Sequence, residues 1–122
     1  MRVLGIDTSN YTTSAAIADE SGFRQNRKIL SVGKGECGLR QSNALFLHTV
    51  NLPEIMRGIS PMGEIDAVAY SAYPRDVEGS YMPCFLAGQA AAETAAAVLG
   101  VPLYRFSHQA GHLMAAVKTC GN

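Results

Sequence analysis

Residues 2–31 read RVLGIDTSNYTTSAAIADESGFRQNRKILS, and the division of this stretch decides the fold. Residues 2–7 are apolar and alternating, which predicts a buried strand closed by Asp7. Thr8-Ser9-Asn10-Tyr11 is short and polar and reads as a loop. Thr12 to Ala18 is β-branched and small, a second strand. Asp19-Glu20-Ser21-Gly22 has the composition of a turn. Phe23 to Ser31 resumes as a third strand, polar enough to be half exposed. Strands joined this closely run antiparallel, so the chain opens with a three-stranded meander.

Working outward, Gly33 to Leu39 is a glycine-containing loop, and a helix is expected from about Ser42 to Gly58. Ser42 can cap it, and Ala44, Leu45, Leu47, His48, Leu52, Ile55 and Met56 form its apolar stripe. Pro53 lies inside that pattern and should kink the helix, because it removes a backbone donor. Ile65 to Ser71 reads as a fourth strand, and residues 73–83 as a loop rich in Tyr, Pro and Gly. A second helix is expected from Met82 to Leu99, with Pro83 in its first turn and Gly100 ending it. Its alanines and Gly88 point to close packing on a sheet. Leu103 to Phe106 is a fifth strand and residues 108–117 a third helix. Strands that follow helices enter as parallel crossovers. The order βββαβαβα therefore predicts an α/β chain with a mixed five-stranded sheet and about three helices. That arrangement predicts a ribonuclease H-like half-domain. The 122 residues make a single domain. They stop at Lys118-Thr-Cys-Gly-Asn122 without an obvious closing element, which predicts a fragment of a longer protein.

Composition narrows the function classes. An apolar content of 48% with 16% charge excludes a disordered chain. Ten basic and ten acidic side chains cancel, so there is no general electrostatic grip on nucleic acid. Arg24, Arg27, Lys28, Lys34 and Arg40 do fall together, as a solvated strand edge and loop or as a local basic patch. Cys37, Cys84 and Cys120 form neither a metal knuckle nor a disulfide framework, and a reducing, cytoplasmic setting is expected. The N-terminus reads as a strand, not a signal peptide. The Ala-rich stretch 85–99 is broken by Gly88, Gln89, Glu93 and Thr94, so no membrane association is expected.

Two places carry candidate chemistry. His108 and His112 lie four apart and, in a helix, leave the same face one turn apart, the spacing at which two imidazoles can share one transition metal. The plainer reading is a pair of surface or core histidines. Asp7 closes the first strand where strand ends gather at an α/β crevice, and either serves a bound phosphate or caps the following turn. Thr8, Ser9 and Asn10 offer hydroxyls and amides to a phosphate, or build a plain hairpin turn. His48, on the apolar side of the first helix, reads as packed. Cys84 reads as a buried thiol or as one activated by a helix N-terminus. Tyr73, Arg75 and Asp76 line a substrate mouth or are solvated.

Three segments resemble the tRNA threonylcarbamoyladenosine transferase family (TsaD, also called glycoprotease or O-sialoglycoprotein endopeptidase). Leu4-Gly5-Ile6-Asp7-Thr8-Ser9 is similar to its opening Leu-Gly-Ile-Glu-Thr-Ser. Ile65-Asp66-Ala67-Val68-Ala69-Tyr70 is similar to its central strand, and His108-Gln109-Ala110-Gly111-His112-Leu113 to its paired-histidine motif. The resemblance implies the N-terminal lobe of a two-lobe protein of the actin, Hsp70 and sugar-kinase superfamily, and transfer of a threonylcarbamoyl group from its adenylate onto a tRNA adenosine. It also implies an iron or zinc ion on His108 and His112, completed by a carboxylate of the second lobe and acting as a Lewis acid. An adenylate-type nucleotide near Asp7, Thr8, Ser9 and Asn10, and tRNA as partner of the full-length protein, follow from the same resemblance.

The family's Asp-Glu after the first strand is replaced by Tyr11-Thr12, and its Gly-Pro-Gly after the central strand by Tyr73-Pro74-Arg75. These departures imply a divergent member, inactive as this fragment. They motivate an alternative: a TsaB-like non-catalytic partner that pairs with a relative or with itself through its first helices. A metallopeptidase is a third reading. It ranks last, because no Glu base stands between the histidines as in His-Glu-x-x-His.

Overall fold

A computed structural model describes residues 1–9, 11–30, 41–73 and 83–107. Five strands and two helices are present among them: β1 Val3–Ser9, β2 Thr12–Asp19, β3 Gly22–Ile29, α1 Gln41–Gly58, β4 Ala67–Tyr73, α2 Leu86–Leu99 and β5 Leu103–Ser107. The sheet order is β3-β2-β1-β4-β5. β1, β2 and β3 form the expected antiparallel meander, and β4 and β5 join in parallel. The chain is thus an α/β protein with a ribonuclease H-like fold. The third helix, expected over residues 108–117, lies outside the described residues.

Register explains the layering. Leu4, Ile6 and Thr8 stand opposite Ile17, Ala15 and Thr13 on one side. Leu4 and Ile6 stand opposite Val68 and Tyr70 on the other. Side chains alternate between faces with period two, so these residues form one buried face under the helices. Leu52, Ile55 and Ile59 from the α1 side and Ala87, Ala92 and Ala96 of α2 complete this core. Each large aliphatic side chain buried here contributes about 1.5–3 kcal/mol.

Helix α2 meets the sheet through its small residues. Its buried positions are Ala87, Gly88, Ala92 and Ala96, so the backbone itself approaches β1. A Cβ on Gly88 would lie 3.0 Å from Thr8 Oγ1 and 3.4 Å from Ile6 Cγ2. Gly100 ends the helix in a left-handed conformation (φ 69°) and returns its N–H to the Ala96 carbonyl at 2.8 Å, the role assigned to it from sequence.

Several boundaries differ from the sequence reading. The hairpin ladder carries β1 two residues beyond Asp7, since Thr8 pairs with Thr13 and Ser9 with Thr12; a polar strand end is stabilised by its partner strand. β4 begins at Ala67, not Ile65, because the Asp66 and Ala67 amides both turn to the Arg2 carbonyl, at 2.8 and 3.3 Å. The segment expected to start α2 is a short 3-10 turn, Pro83–Phe85, before the helix proper. Helix α1 runs from Gln41 to Gly58 with Pro53 inside it. One missing donor does not end a helix whose inner face is held by the core.

Candidate functional site

The parallel strands β1 and β4 end on the same side of the sheet, the place where α/β sheets gather ligands. Of the residues proposed from sequence, Asp7 and Thr8 are placed side by side on β1. Asp7 is an internal residue of β1, paired with Ser14, and the Ser14 hydroxyl donates to its carbonyl at 3.5 Å. Thr8, its neighbour in sequence, faces the opposite side of the sheet by strand alternation. Thr8 is fully buried, and its Oγ1 donates to the Cys84 carbonyl and accepts from the Gly88 amide, both at 3.0 Å. That hydroxyl ties β1 to the start of α2. Ser9 ends β1, and Asn10 lies outside the described residues.

The proposed metal ligands His108 and His112 also lie outside the described residues, as do Arg75, Asp76, Lys34 and Arg40. Among the described residues no group of three His, Cys, Asp or Glu side chains is placed to hold a metal. Cys84 is buried in the 3-10 turn, packed with Leu30, Ala44 and Phe85, in keeping with the plainer of its two readings.

What sequence reasoning missed is a polar knot beneath the sheet. His48 of α1 is fully buried, and its Nδ1 is 2.7 Å from Thr13 Oγ1 of β2. Asn51, one turn along α1, donates to the same oxygen at 3.4 Å. The imidazole and the threonine hydroxyl are hydrogen-bond partners, with the donor set by the histidine tautomer. Burial of such groups is tolerated only because they satisfy one another. A signal did exist: Thr13 is a polar inward position of β2, and His48 interrupts an apolar stripe.

At the opposite end of the sheet a second polar group fastens the chain start. The Arg2 guanidinium reaches Asp19 Oδ2 through Nε at 3.3 Å and Nη2 at 3.2 Å, and its backbone N–H donates to Asp66 Oδ2 at 2.7 Å. The Ser21 hydroxyl and amide donate to Asp19 Oδ1 at 2.6 and 2.9 Å. These two bonds, then Arg2, pull the Asp19 carboxyl down to about 2. The Met1 ammonium pairs with Glu20 and lowers that carboxyl too. Arg2, Ile17, Asp19, Ser21, Gly22, Phe23 and Arg24 line a shallow cavity of about 270 Å³.

Exposed apolar side chains lie on strands and helices alike, Phe23 and Ile29 of β3 and Tyr104 of β5 among them. Phe46 and Val50, one turn apart on the outer side of α1, are 66% and 55% exposed. On α2, Leu86, Val98 and Leu99 are also exposed.

The geometry defines a ribonuclease H-like fold with exposed apolar side chains on both helices. Two solved structures share that fold. YeaZ from Pseudomonas aeruginosa matches 87% of this chain with a TM-score of 0.62 at 17% identity. An uncharacterized protein with similarity to peptidase YEAZ from Pseudomonas aeruginosa matches 98% with a TM-score of 0.66, also at 17% identity. The chain spans only 43% and 49% of those two proteins, and at this identity the likeness concerns the fold alone. No family model matches the chain, and no curated protein matches it.

The neighbours correct the expected membership of the TsaD family: one is YeaZ and the other is described by its similarity to YEAZ, and TsaD membership is not indicated. The physical reason lies in where the resemblance sits. The opening and central strands are sheet elements that both kinds of lobe need. The paired histidines, the feature that separates the two, lie outside the described residues. Among the described residues no helix is long and apolar enough to cross a membrane.

Proposed function

We propose that this chain is the N-terminal lobe of a TsaB-like module, one that does no chemistry itself and docks onto a partner in tRNA threonylcarbamoyladenosine formation. The observation that carries this reading is the fold likeness to the YEAZ-like protein over 98% of the chain, with only 49% of that protein covered. The first loop supports it: Tyr11 and Thr12 stand where the transferases have an acidic pair. So does the outer side of α1, where Phe46 and Val50 expose a large apolar surface. The module's partner is a second copy or a TsaD-type chain, tRNA is met through the assembled complex, and the cytoplasm is the compartment this implies.

Sedimentation tests the reading. Wild type is expected to self-associate at micromolar concentration or to co-sediment with a TsaD-type chain, and Phe46→Asp with Val50→Asp to abolish both. A wild-type chain that stays monomeric and ignores the transferase overturns it.

Metal binding at His108 and His112 is a separate proposal, supported by their spacing. Wild type is expected to take up iron or zinc, less so below about pH 6, where imidazole becomes protonated. Equal uptake by the His108→Ala, His112→Ala double variant, read by titration, removes that role.

A further inference from the structure

The two edges of the sheet differ in charge. β3, at one edge, carries Arg24, Arg27 and Lys28 and no acidic residue. Seven of its eight residues are exposed. Two of the cations are tethered: Arg24 Nη2 donates to the Pro61 carbonyl at 2.8 Å, and Lys28 pairs with Glu54 at 3.3 Å.

The β2–β3 turn decides which backbone groups face outward. Asp19 and Gly22 pair across the two-residue turn Glu20-Ser21. The residues flanking such a turn form a hydrogen-bonded pair, and bonded pairs alternate with non-bonded ones along the ladder. Arg24, Asn26 and Lys28 therefore bond to β2. Phe23, Gln25, Arg27 and Ile29 send their N–H and C=O groups away from the sheet. The Arg27 amide agrees, since it donates to Asn26 Oδ1 at 3.1 Å instead of to β2. The side chains of the same four residues share one face of the sheet. Phe23 and Ile29 there are 51% and 72% exposed, with Arg27 between them.

We infer that β3 is a docking edge for an extended acidic segment of a partner protein, which adds to the sheet as a sixth strand. The outward amides of Phe23, Gln25 and Ile29 and the alternate carbonyls supply backbone pairing, and Phe23 and Ile29 supply apolar contact. Arg27 meets a carboxylate placed across from it. A second copy of β3 is disfavoured at this edge, because pairing would bring Arg24, Arg27 and Lys28 of both strands together. Nucleic acid is disfavoured by the alternating apolar residues and by the chain's formal net charge of +0. This inference is independent of the docking side assigned to α1.

Fluorescence anisotropy on the full chain tests it, with three labelled peptide probes. One alternates valine with glutamate, one alternates valine with lysine, and one is the glutamate peptide with N-methyl groups on alternate amides. The glutamate peptide is expected to bind. The N-methylated peptide should bind about tenfold more weakly, since its ladder is blocked. Arg27→Glu, at an exposed site, should weaken the glutamate peptide by about tenfold and favour the lysine peptide. Absence of glutamate-peptide binding, indifference to N-methylation or to charge reversal, or tighter binding of a uridine oligonucleotide overturns the inference.

Discussion

Thr13 is a small residue with a large share in the fold. Its hydroxyl joins β2 to two positions of α1, His48 and Asn51, in a fully buried setting. Thr13→Val keeps the shape and suits a strand, so propensity does not oppose it. It strands the imidazole Nδ1 and the Asn51 amide together. Urea unfolding is expected to register a loss of about 1–3 kcal/mol, the cost of a buried polar group left unsatisfied. Unchanged stability would mean that His48 is satisfied without Thr13. Strand alternation is equally decisive for Asp7 and Thr8. They are adjacent in sequence, yet they address opposite faces of the sheet.

At the scale of elements, α2 depends on how near its backbone comes to β1. Thr8 Oγ1 holds both the Cys84 carbonyl and the Gly88 amide, so it cannot retreat from a new methyl group without losing a bond. Gly88→Ala would gain up to about 1 kcal/mol of helix propensity. The overpacking cost, about 1–3 kcal/mol, should exceed that gain. A lower midpoint in thermal or urea unfolding is the expected result, and a rise would show that β1 yields. The alanine and glycine pattern of this helix was legible in sequence as close packing. The target of that packing was not, because Thr8 lies 80 residues away along the chain. The element boundaries that shifted did so for a similar reason: β1 gained its last residues from β2, and β4 lost its first to the Arg2 carbonyl.

The whole molecule is fastened at the end of the sheet away from the crevice, where Arg2 joins β1 to Asp19 at the end of β2 and to Asp66 ahead of β4. Folding lowers the Asp19 carboxyl from 3.8 to about 2. The unfolded chain therefore binds more protons in that window, and stability falls as pH drops through it. Above roughly pH 5 this contribution is complete and flat. Unfolding midpoints of wild type should decline between pH 4 and about 2, and Asp19→Asn should flatten part of that decline; parallel curves would remove Asp19 from acid stability. The sequence by itself determined the order of strands and helices, the antiparallel opening and the parallel crossovers, because hydrophobic period, turn composition and glycine caps act within a few residues. Only the tertiary structure decided which polar residues face each other. The Thr13–His48–Asn51 knot, the Thr8 tie to α2 and the split of Asp7 from Thr8 all depend on strand register and helix placement, which arise from contacts between distant parts of the chain.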